Sequence, residues 1–310
     1  MKEVIPIEIK DKMTVDQLVR AFGQSGVFQA GNLARAVDIY EEMLRKKSAV
    51  MLAFAGAMVP GGMRRVIADS IRDGMADLIV TTGANITHDL ACAFGEKYYV
   101  CGDRVDDEQF RKRGISRIYD VASPDSTSIG FEKGIQDVFR RINEGDYSTP
   151  ELMDEIGKNI KDKDSIVRQA HLKKVPLFVP ALEDSILGIQ LWIHSQDRKV
   201  KLDPLKDIKQ ITDWVYEHKN RGVISLGGGV PKNFALQSAL IPGPHNYAIQ
   251  VTLDRPESGG LSGATLEEAI SWGKLTRKSK FACVYSDSTI VFPMMVAAVR
   301  ERLSRRASGR

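Results

Sequence analysis

A glutamate, a tryptophan and a lysine lie close together in the stretch from Gly259 to Thr276. Glu268 and Trp272 are four positions apart, so a helix would place both side chains on one face. A carboxylate beside an indole suits a cation, because the carboxylate pairs with it and the ring face attracts it. Lys274 follows a glycine at which the helix should end. If burial and a neighbouring positive charge lower its pKa, its free amine can form a Schiff base; an ordinary solvated lysine is the alternative.

Two glycine-rich segments follow apolar runs of strand length and could approach a phosphate group. They are "GAMVPGG", from Gly56 to Gly62, and "GGGVP", from Gly227 to Pro231. Glycine permits close backbone approach, and the helix that follows each loop presents aligned N–H groups. Neither segment is a GxGxxG fingerprint, and tight turns between strand and helix explain the glycines equally well.

Three further polar side chains stand where strands end or helices begin. Asp184 and Asp287 each come just past a strand end and could accept hydrogen bonds from ribose hydroxyls; helix capping is the alternative. His88 lies in the helix start "THDL" and could act as a general base or a substrate contact. A surface or capping histidine is the alternative for His88.

Alternating strands and helices must position these side chains. From residue 49 onward, apolar runs of strand length alternate with amphipathic runs of helix length. The strands are nearly continuous in Val, Ile, Leu and Ala, which indicates burial on both faces and a parallel sheet. The prediction is a doubly wound, mostly parallel α/β sheet of the Rossmann-like, NAD-binding type, with ligands outside the carboxyl ends of the strands. Six strands are predicted, in "AVMLAFAG", "ADLIVTTGA", "VPLFVPALEDS", "GVISLGGGVP", "YAIQVTLD" and "FACVYSDS".

The domain organisation is predicted from the same patterns. Residues 1–48 show apolar positions at helical spacing and are expected to form a helical N-terminal extension. Residues 49–310 are expected to form a single catalytic domain with a charged, helical insertion at about 104–170. A helix is predicted over "TLEEAISWGK", after the fifth strand.

Composition excludes several classes of protein. The chain has 310 residues, 43% hydrophobic and 27% charged, which is typical of a folded globular protein. Three widely spaced cysteines offer neither a metal-binding spacing nor a disulfide framework, so no metal is predicted. No signal peptide or membrane span is recognised, which predicts a soluble cytoplasmic protein without a membrane partner. The net charge of +4 is weak, and the basic tail "RERLSRRASGR" lacks interleaved aromatics, so we expect a frayed, solvated terminus and no nucleic-acid partner.

The segment "EEAISWGK" followed by "VYSDSTIVFP" resembles the signature region of deoxyhypusine synthases, in which the WGK lysine is the catalytic amine. Four further segments are similar to that family in the same order, and the matches run from Ala49 to Pro293. They are "LAFAGAMVPGGMR", "VTTGANITHDL", "VPLFVPALEDSILG" and "ISLGGGVPKNF". The first two resemble the archaeal branch most.

The resemblance implies an alkyl transferase that depends on NAD and acts on spermidine. Spermidine would be dehydrogenated, 1,3-diaminopropane released, and the four-carbon imine passed to Lys274. An acceptor amine would then receive the fragment, which the retained hydride reduces. In this family the acceptor is a lysine of the translation initiation factor 5A precursor. A homotetramer with active sites at subunit interfaces is also implied.

The resemblance also assigns residues. Lys274 would be catalytic, and the polyamine would contact Glu268, Trp272 and the loop near Gly259 and Gly260. His88 is added as a substrate-contact candidate from its own position. The NAD contacts would be Gly56, Ala57, Met58, Val59, Pro60, Thr82, Gly83, Ala84, Asp184, Asp287 and Ser288.

Several polar positions of the typical family pocket differ in this chain. This chain has Lys232-Asn233-Phe234 where the family has "KHH", so the histidine pair is lost; Leu261 and Ile189 replace aspartates, and Thr87-His88 replace paired acids. These changes leave two alternatives open beside the protein acceptor. One is transfer to a free diamine such as putrescine, which would make homospermidine. The other is an inactive paralogue that acts as a binding or regulatory subunit.

Overall fold

A computed structural model of the chain describes residues 2–307. The helices are α1 (Val15–Ser25), α2 (Phe28–Arg45), α3 (Arg64–Arg72), α4 (Gly83–Ala93), α5 (Asp107–Lys112), α6 (Asp125–Phe139), α7 (Thr149–Asn159), α8 (Ile166–Lys173), α9 (Ile186–Ser195), α10 (Pro204–Glu217), α11 (Gly229–Gln237), α12 (Glu268–Ser271) and α13 (Ser288–Ala307). The strands are β1 (Ala49–Phe54), β2 (Leu78–Thr81), β3 (Tyr99–Val100), β4 (Ile115–Ile118), β5 (Val121–Pro124), β6 (Gly145–Tyr147), β7 (Leu177–Phe178), β8 (Val200–Leu202), β9 (Arg221–Leu226), β10 (Tyr247–Thr252) and β11 (Lys280–Tyr285).

The chain divides into two compact units. Unit 1 contains residues 1–55, 75–80 and 208–310, and unit 2 contains residues 56–74 and 81–207. The prediction of a single domain from residue 49 onward is not tested by this division and stays a prediction.

The sheet of unit 1 confirms the predicted fold class. Five strands lie in the order β11-β10-β9-β1-β2. The pairs β1–β9, β9–β10 and β10–β11 are parallel, with Ala49 opposite Arg221 and Tyr247 opposite Lys280. Every residue of β1, β9 and β10 is buried, as their continuous apolar runs predict. The strand–helix alternation therefore forms a parallel α/β sheet flanked by helices.

The third predicted strand is shorter than its apolar segment. In "VPLFVPALEDS" only Leu177–Phe178 forms a strand, β7. Pro176 and Pro180 flank it, and because proline has no N–H group it cannot extend a ladder of hydrogen bonds.

The helices at the two ends of the chain share one buried ionic cluster in unit 1. Arg302 of α13 is 3% exposed, and its guanidinium donates to Asp16 of α1 and to Asp38 and Glu41 of α2. Its hydrogen bonds to Asp38 and Glu41 are 2.6 and 3.0 Å long. Residues 1–48, predicted to be a helical extension, contain α1 and α2, and this cluster ties both helices to α13.

The basic tail is more ordered than expected. The helix α13 continues to Ala307. The expectation of a frayed terminus is therefore wrong for residues 300–307. The remaining three residues of the tail lie outside the described part of the chain.

Unit 2 contains the segment expected to be a helical insertion, and the segment is mixed in structure. Residues 104–170 include α5, α6, α7 and most of α8, but also β4, β5 and β6. The strands β3, β5 and β4 form an antiparallel sheet, and β6 pairs with β8 in parallel.

A buried carboxylate joins three helices of unit 2. Asp89 of α4 is fully buried and accepts hydrogen bonds from Arg64 Nε of α3 at 2.7 Å and from Ser165 Oγ, the cap of α8, at 2.7 Å. The backbone N–H groups of Ile166 and Val167 also donate to it. Because both carboxylate oxygens have donors, the charge is tolerated away from water.

Within residues 2–307, no helix is both long and apolar enough to cross a bilayer.

Candidate functional site

A cavity of about 300 Å³ in unit 1 brings together three of the residues singled out in the sequence. Lys274, Glu268 and Trp272 all contribute to its wall. The other lining residues are Lys232, Asn233, Leu236, Gln237, Leu240, Leu261, Ala264, Thr265 and Ala269. One acid, two amines and a largely apolar wall therefore surround one space.

The Lys274 amine is half-buried and held by a neutral partner. Its Nζ donates to Asn233 Oδ1 at 3.1 Å. The same nitrogen lies 5.9 Å from the centre of the Trp272 ring, within the range of a cation–π contact. Burial lowers the pKa of Lys274, and the nearby charge of Glu268 opposes that effect. The predicted amine, acid and indole therefore meet, while Trp272, 63% exposed, stands at the open side.

The helix that carries Glu268 is much shorter than predicted. Instead of spanning "TLEEAISWGK", α12 is a single turn, Glu268–Ser271. At its start the Thr265 hydroxyl accepts a hydrogen bond from the N–H of Glu268 at 3.1 Å. At its end Gly273 has a φ of 69°, a left-handed conformation that stops the helix. The Lys274 N–H then donates to the Ala269 carbonyl, so the chain turns back and directs Lys274 into the cavity.

A second lysine, to which the sequence assigned no role, lines the same cavity. Lys232 is 4% exposed, and its Nζ donates to the carbonyl oxygens of Leu261, at 3.1 Å, and Ala264. Burial lowers the pKa of Lys232 to about 8; Glu268 and Cys283 act against this, and the charge of Lys274 adds to it. One signal was available in the sequence: Lys232 directly follows the "GGGVP" loop and is the only lysine between Lys219 and Lys274.

The loop from Gly56 to Pro60, predicted to contact NAD, is fixed by a buried asparagine of unit 2. Asn85 donates through Nδ2 to the Gly56 carbonyl at 2.9 Å, and its Oδ1 accepts from the Val59 N–H at 3.3 Å. Gly56 has a φ of 75° and no atom near the position of a side chain, so the bend requires glycine but the space is open. Asn85 was missed in the sequence because an asparagine inside a helical segment carries no pattern of its own.

The small residues at the start of α4 were predicted to contact NAD, and their structure is compatible both with that role and with a purely structural one. Thr82 caps the helix, accepting from the Asn85 N–H at 3.3 Å. At Gly83 a Cβ atom would lie 2.3 Å from Ser185 Oγ, so close packing explains this glycine without a ligand. Ala84 is exposed beside them.

The two aspartates predicted at strand ends differ in position and in partners, since β7 ends at Phe178, well before Asp184. Asp184 is exposed, and the cap of α9 is its neighbour Ser185, which accepts from the Gly188 N–H at 3.1 Å. Asp287 instead accepts from both the N–H and the hydroxyl of Thr289, at 2.7 and 2.8 Å, just before α13. Capping therefore occupies one carboxylate oxygen of Asp287. The exposed Asp184 carboxylate does not cap α9 and can still accept hydrogen bonds from a ligand.

His88 is neither a surface residue nor a helix cap. It lies half-buried in α4 of unit 2, with Nδ1 2.6 Å from the Tyr98 hydroxyl oxygen. Burial lowers the pKa of His88 to about 4, so the ring is neutral at neutral pH. His88 is not among the residues that line the Lys274 cavity.

The remaining predicted substrate contacts lie in an exposed loop of unit 1. Gly259, with a φ of 69°, ends the short 3₁₀ helix Pro256–Ser258, and Gly260 follows it. Neither glycine lines the cavity, although Leu261 next to them does.

Comparison with known proteins identifies the family. A family model described as deoxyhypusine synthase matches residues 17–299. The chain is 46% identical over 301 residues to "Probable deoxyhypusine synthase 1" of Methanosarcina mazei, covering 96% of this chain and 95% of that protein. It is 42% identical over 300 residues to "Probable deoxyhypusine synthase" of Methanothermobacter thermautotrophicus, covering 96% and 97% of the two chains.

A solved structure supports the fold. The crystal structure of a "putative deoxyhypusine synthase" from Entamoeba histolytica matches with a TM-score of 0.67 and 19% identity, covering 93% of each chain. At that identity the match shows the fold alone. The family model and the archaeal relatives confirm the resemblance found in the sequence. The chain belongs to the deoxyhypusine synthase family.

Proposed function

We propose that the chain is an NAD-dependent aminobutyl transferase. It cleaves spermidine, carries the four-carbon fragment as an imine on Lys274, and transfers it to a lysine of the translation initiation factor 5A precursor. The observation that carries this proposal is the meeting of Lys274, Glu268 and Trp272 in one cavity. Family membership supports the class of reaction.

The three residues predicted from the sequence, together with the apolar wall, each have a part in this chemistry. Glu268 pairs with an ammonium group of the donor, and the indole of Trp272 faces the same cation. The apolar side chains of Leu236 and Leu240 line the wall and suit a methylene chain. The Lys274 amine, partly withdrawn from water, attacks the oxidised carbon and releases the other amine.

NAD, when bound, would supply the oxidation, as an acceptor and later a donor of hydride. In unit 2 we assign its contacts to the loop Gly56–Pro60 and to Thr82, Gly83, Ala84 and the exposed Asp184. The fixed bend at Gly56 and the capped N-terminus of α4 fit a phosphate-bearing ligand. In unit 1 the assignments of Asp287 and Ser288 remain predictions from the family.

Reductive trapping tests the proposal directly. Purified protein is incubated with labelled spermidine and NAD, reduced with borohydride, and mapped by peptide mass spectrometry. We expect the label on Lys274 and none in Lys274→Ala. Label on another lysine, or none in the wild type with NAD present, contradicts the proposal.

A second candidate acceptor is a free diamine such as putrescine. It remains a candidate because the cavity wall differs from the typical family pocket at two positions, where Leu261 and Asn233 stand in place of an aspartate and a histidine. Adding the factor 5A precursor or putrescine separately decides between the acceptors. Label in the protein fraction supports the first, and label in a small-molecule product supports the second. An inactive regulatory paralogue would give neither product.

A further inference from the structure

The buried lysine of the cavity has no part in the chemistry described so far. Lys232 lines the same space as Lys274 and lies at the start of α11, next to Asn233, which holds the Lys274 amine. Its own nitrogen is fixed by two backbone carbonyls, those of Leu261 and Ala264. A lysine this buried is uncommon unless its nitrogen has a partner or a task.

The two carbonyl contacts of Lys232 Nζ leave its third position free to gain or lose a proton. A lysine nitrogen has three positions beyond its carbon. Leu261 and Ala264 accept from two of them, in the charged and in the neutral form alike. The third position is an N–H when the amine is charged and a lone pair when it is neutral. Lys232 can therefore gain or lose one proton without losing either hydrogen bond.

Few other groups of the cavity can carry a proton. Among the described residues that line it, the titratable side chains are Lys232, Glu268 and Lys274. Lys274 is the proposed attacking amine, and Glu268 is the proposed partner of the donor cation. Asn233, the direct partner of Lys274, is an amide and cannot take up a proton.

Burial brings the pKa of Lys232 near working pH. Burial lowers its pKa to about 8; Cys283 and Glu268 oppose the shift, and the positive charge of Lys274 adds to it. General acid–base groups are most effective when their pKa is close to the operating pH.

We propose that Lys232 takes the proton that Lys274 must lose before it attacks, and returns it to the amine that leaves. This inference rests on the proposed function of Lys274. In the first step the Lys274 ammonium loses a proton to the neutral Lys232 amine, directly or through one water. The Lys274 nitrogen then bonds to the electrophilic carbon of the oxidised donor. The Lys232 ammonium gives its proton to the departing nitrogen, and the neutral Lys232 amine then takes the extra proton that the Lys274 nitrogen carries after addition. When the bond from the carbon to the departing nitrogen breaks, its electron pair leaves with the departing amine. The protonated imine remains on Lys274, and Lys232 passes its proton to water.

The test uses imine formation without NAD or spermidine. Propanal and cyanoborohydride alkylate Lys274 reductively, and peptide mass spectrometry follows the rate from pH 6 to pH 10. Lys232→Met removes both the charge and the proton; Lys232→Arg keeps the charge but cannot release a proton near neutral pH. Lys278→Met removes an exposed lysine outside the cavity and serves as the matched control.

We expect the wild-type rate to rise through a midpoint near pH 8 and both Lys232 variants to lose that midpoint. At pH 7.5 both should be slower by about tenfold or more, with Lys278→Met unchanged. A folded Lys232→Arg that reacts like the wild type overturns the proposal, because charge alone would then be sufficient. A folded Lys232→Met with the wild-type profile overturns it as well.

A second measurement covers variants that fail to fold. In wild-type protein with ¹³C-labelled lysine, NMR should show Lys232 titrating near pH 8, with a higher midpoint in Lys274→Met, which removes the repelling charge. A wild-type midpoint at the ordinary lysine value of 10.5 overturns the proposal. Since neither assay contains spermidine or NAD, failure of the proposed transferase reaction would be recognised separately.

Discussion

At the scale of single residues, the contact between Lys274 and Asn233 is the most direct constraint on the chemistry. The amide oxygen of Asn233 fixes where the amine points but adds no charge. A carboxylate at that position would stabilise the ammonium form and oppose the effect of burial. A neutral acceptor is therefore compatible with an amine that must be uncharged to react.

Two substitutions at Asn233 separate positioning from charge. Asn233→Leu removes the acceptor, and we expect kcat to fall about tenfold, since one hydrogen bond contributes about 1 kcal/mol and the amine loses its orientation. Asn233→Asp keeps an acceptor but should move the pH profile of kcat/KM to higher pH, because the carboxylate favours the ammonium. Unchanged kinetics in a folded Asn233→Leu would show that the contact has no role.

His88 gives the folded protein a dependence on acid. Burial lowers its pKa from 6.5 to about 4, so the unfolded chain binds the proton more readily between these values. The contribution to stability is complete above pH 6.5 and is lost as the pH falls toward 4. We expect the unfolding free energy of wild type to decrease by up to about 3 kcal/mol more than that of His88→Asn across this window. Urea unfolding at a series of pH values measures the difference, and parallel curves would contradict it.

At the scale of elements, the short helix α12 and the glycine behind it set the geometry of the cavity. A longer helix through "TLEEAISWGK" would carry Lys274 around the axis away from the face shared by Glu268 and Trp272. The left-handed Gly273 ends the helix instead and returns the chain, so that all three side chains reach one space. In the sequence Trp272-Gly273-Lys274, the glycine sets the backbone conformation, and the tryptophan and lysine supply the side chains for the proposed chemistry.

Gly273→Ala tests this role of the turn. A side chain at a φ of 69° is strained, and we expect a loss of about 1 kcal/mol in stability together with a clear loss of activity. Gly74→Ala is the matched control, because Gly74 is an exposed residue with a φ of 68° and open space around it, outside the cavity. It should lose similar stability and keep full activity. Equal activity in the two variants would show that the left-handed turn at Gly273 is not needed for activity.

At the scale of the whole molecule, the sequence predicted what repeats and missed what depends on distant partners. The buried runs that became β1, β9 and β10 could be read from composition alone. Lys232 could not be assigned, because its partners are carbonyls 29 and 32 residues away along the chain. The length of α12 was also missed: its end near Gly273 was expected, but the apolar spacing of "TLEEAISWGK" indicated a helix from Thr265, whereas α12 begins only at Glu268. Family resemblance supplied Lys274, which its local sequence leaves ambiguous.

From the family resemblance we expect a homotetramer, and unit 2 has an exposed apolar surface that is relevant to this expectation. Four apolar side chains of α9 are exposed, namely Ile186, Ile189, Trp192 and Ile193. We expect the purified protein to have a native mass about four times that of the chain, measured by light scattering. Trp192→Glu should lower that mass if α9 takes part in assembly. A monomeric wild type at micromolar concentration would contradict the family expectation.

The buried guanidinium of Arg302 has a practical consequence for anyone who shortens this protein. Deleting the first 48 residues would strip away three anions and strand a cation in the interior, so the amino-terminal helices cannot be treated as a removable appendage. Trimming the carboxyl end ahead of that arginine would remove a cation shared by three carboxylates, of which Asp16 would keep Arg20 and Glu41 would keep Arg45 as partners. The Arg302 side chain therefore links helices from both ends of the chain, and a carboxyl-terminal affinity tag should be added after Arg302 without deleting it.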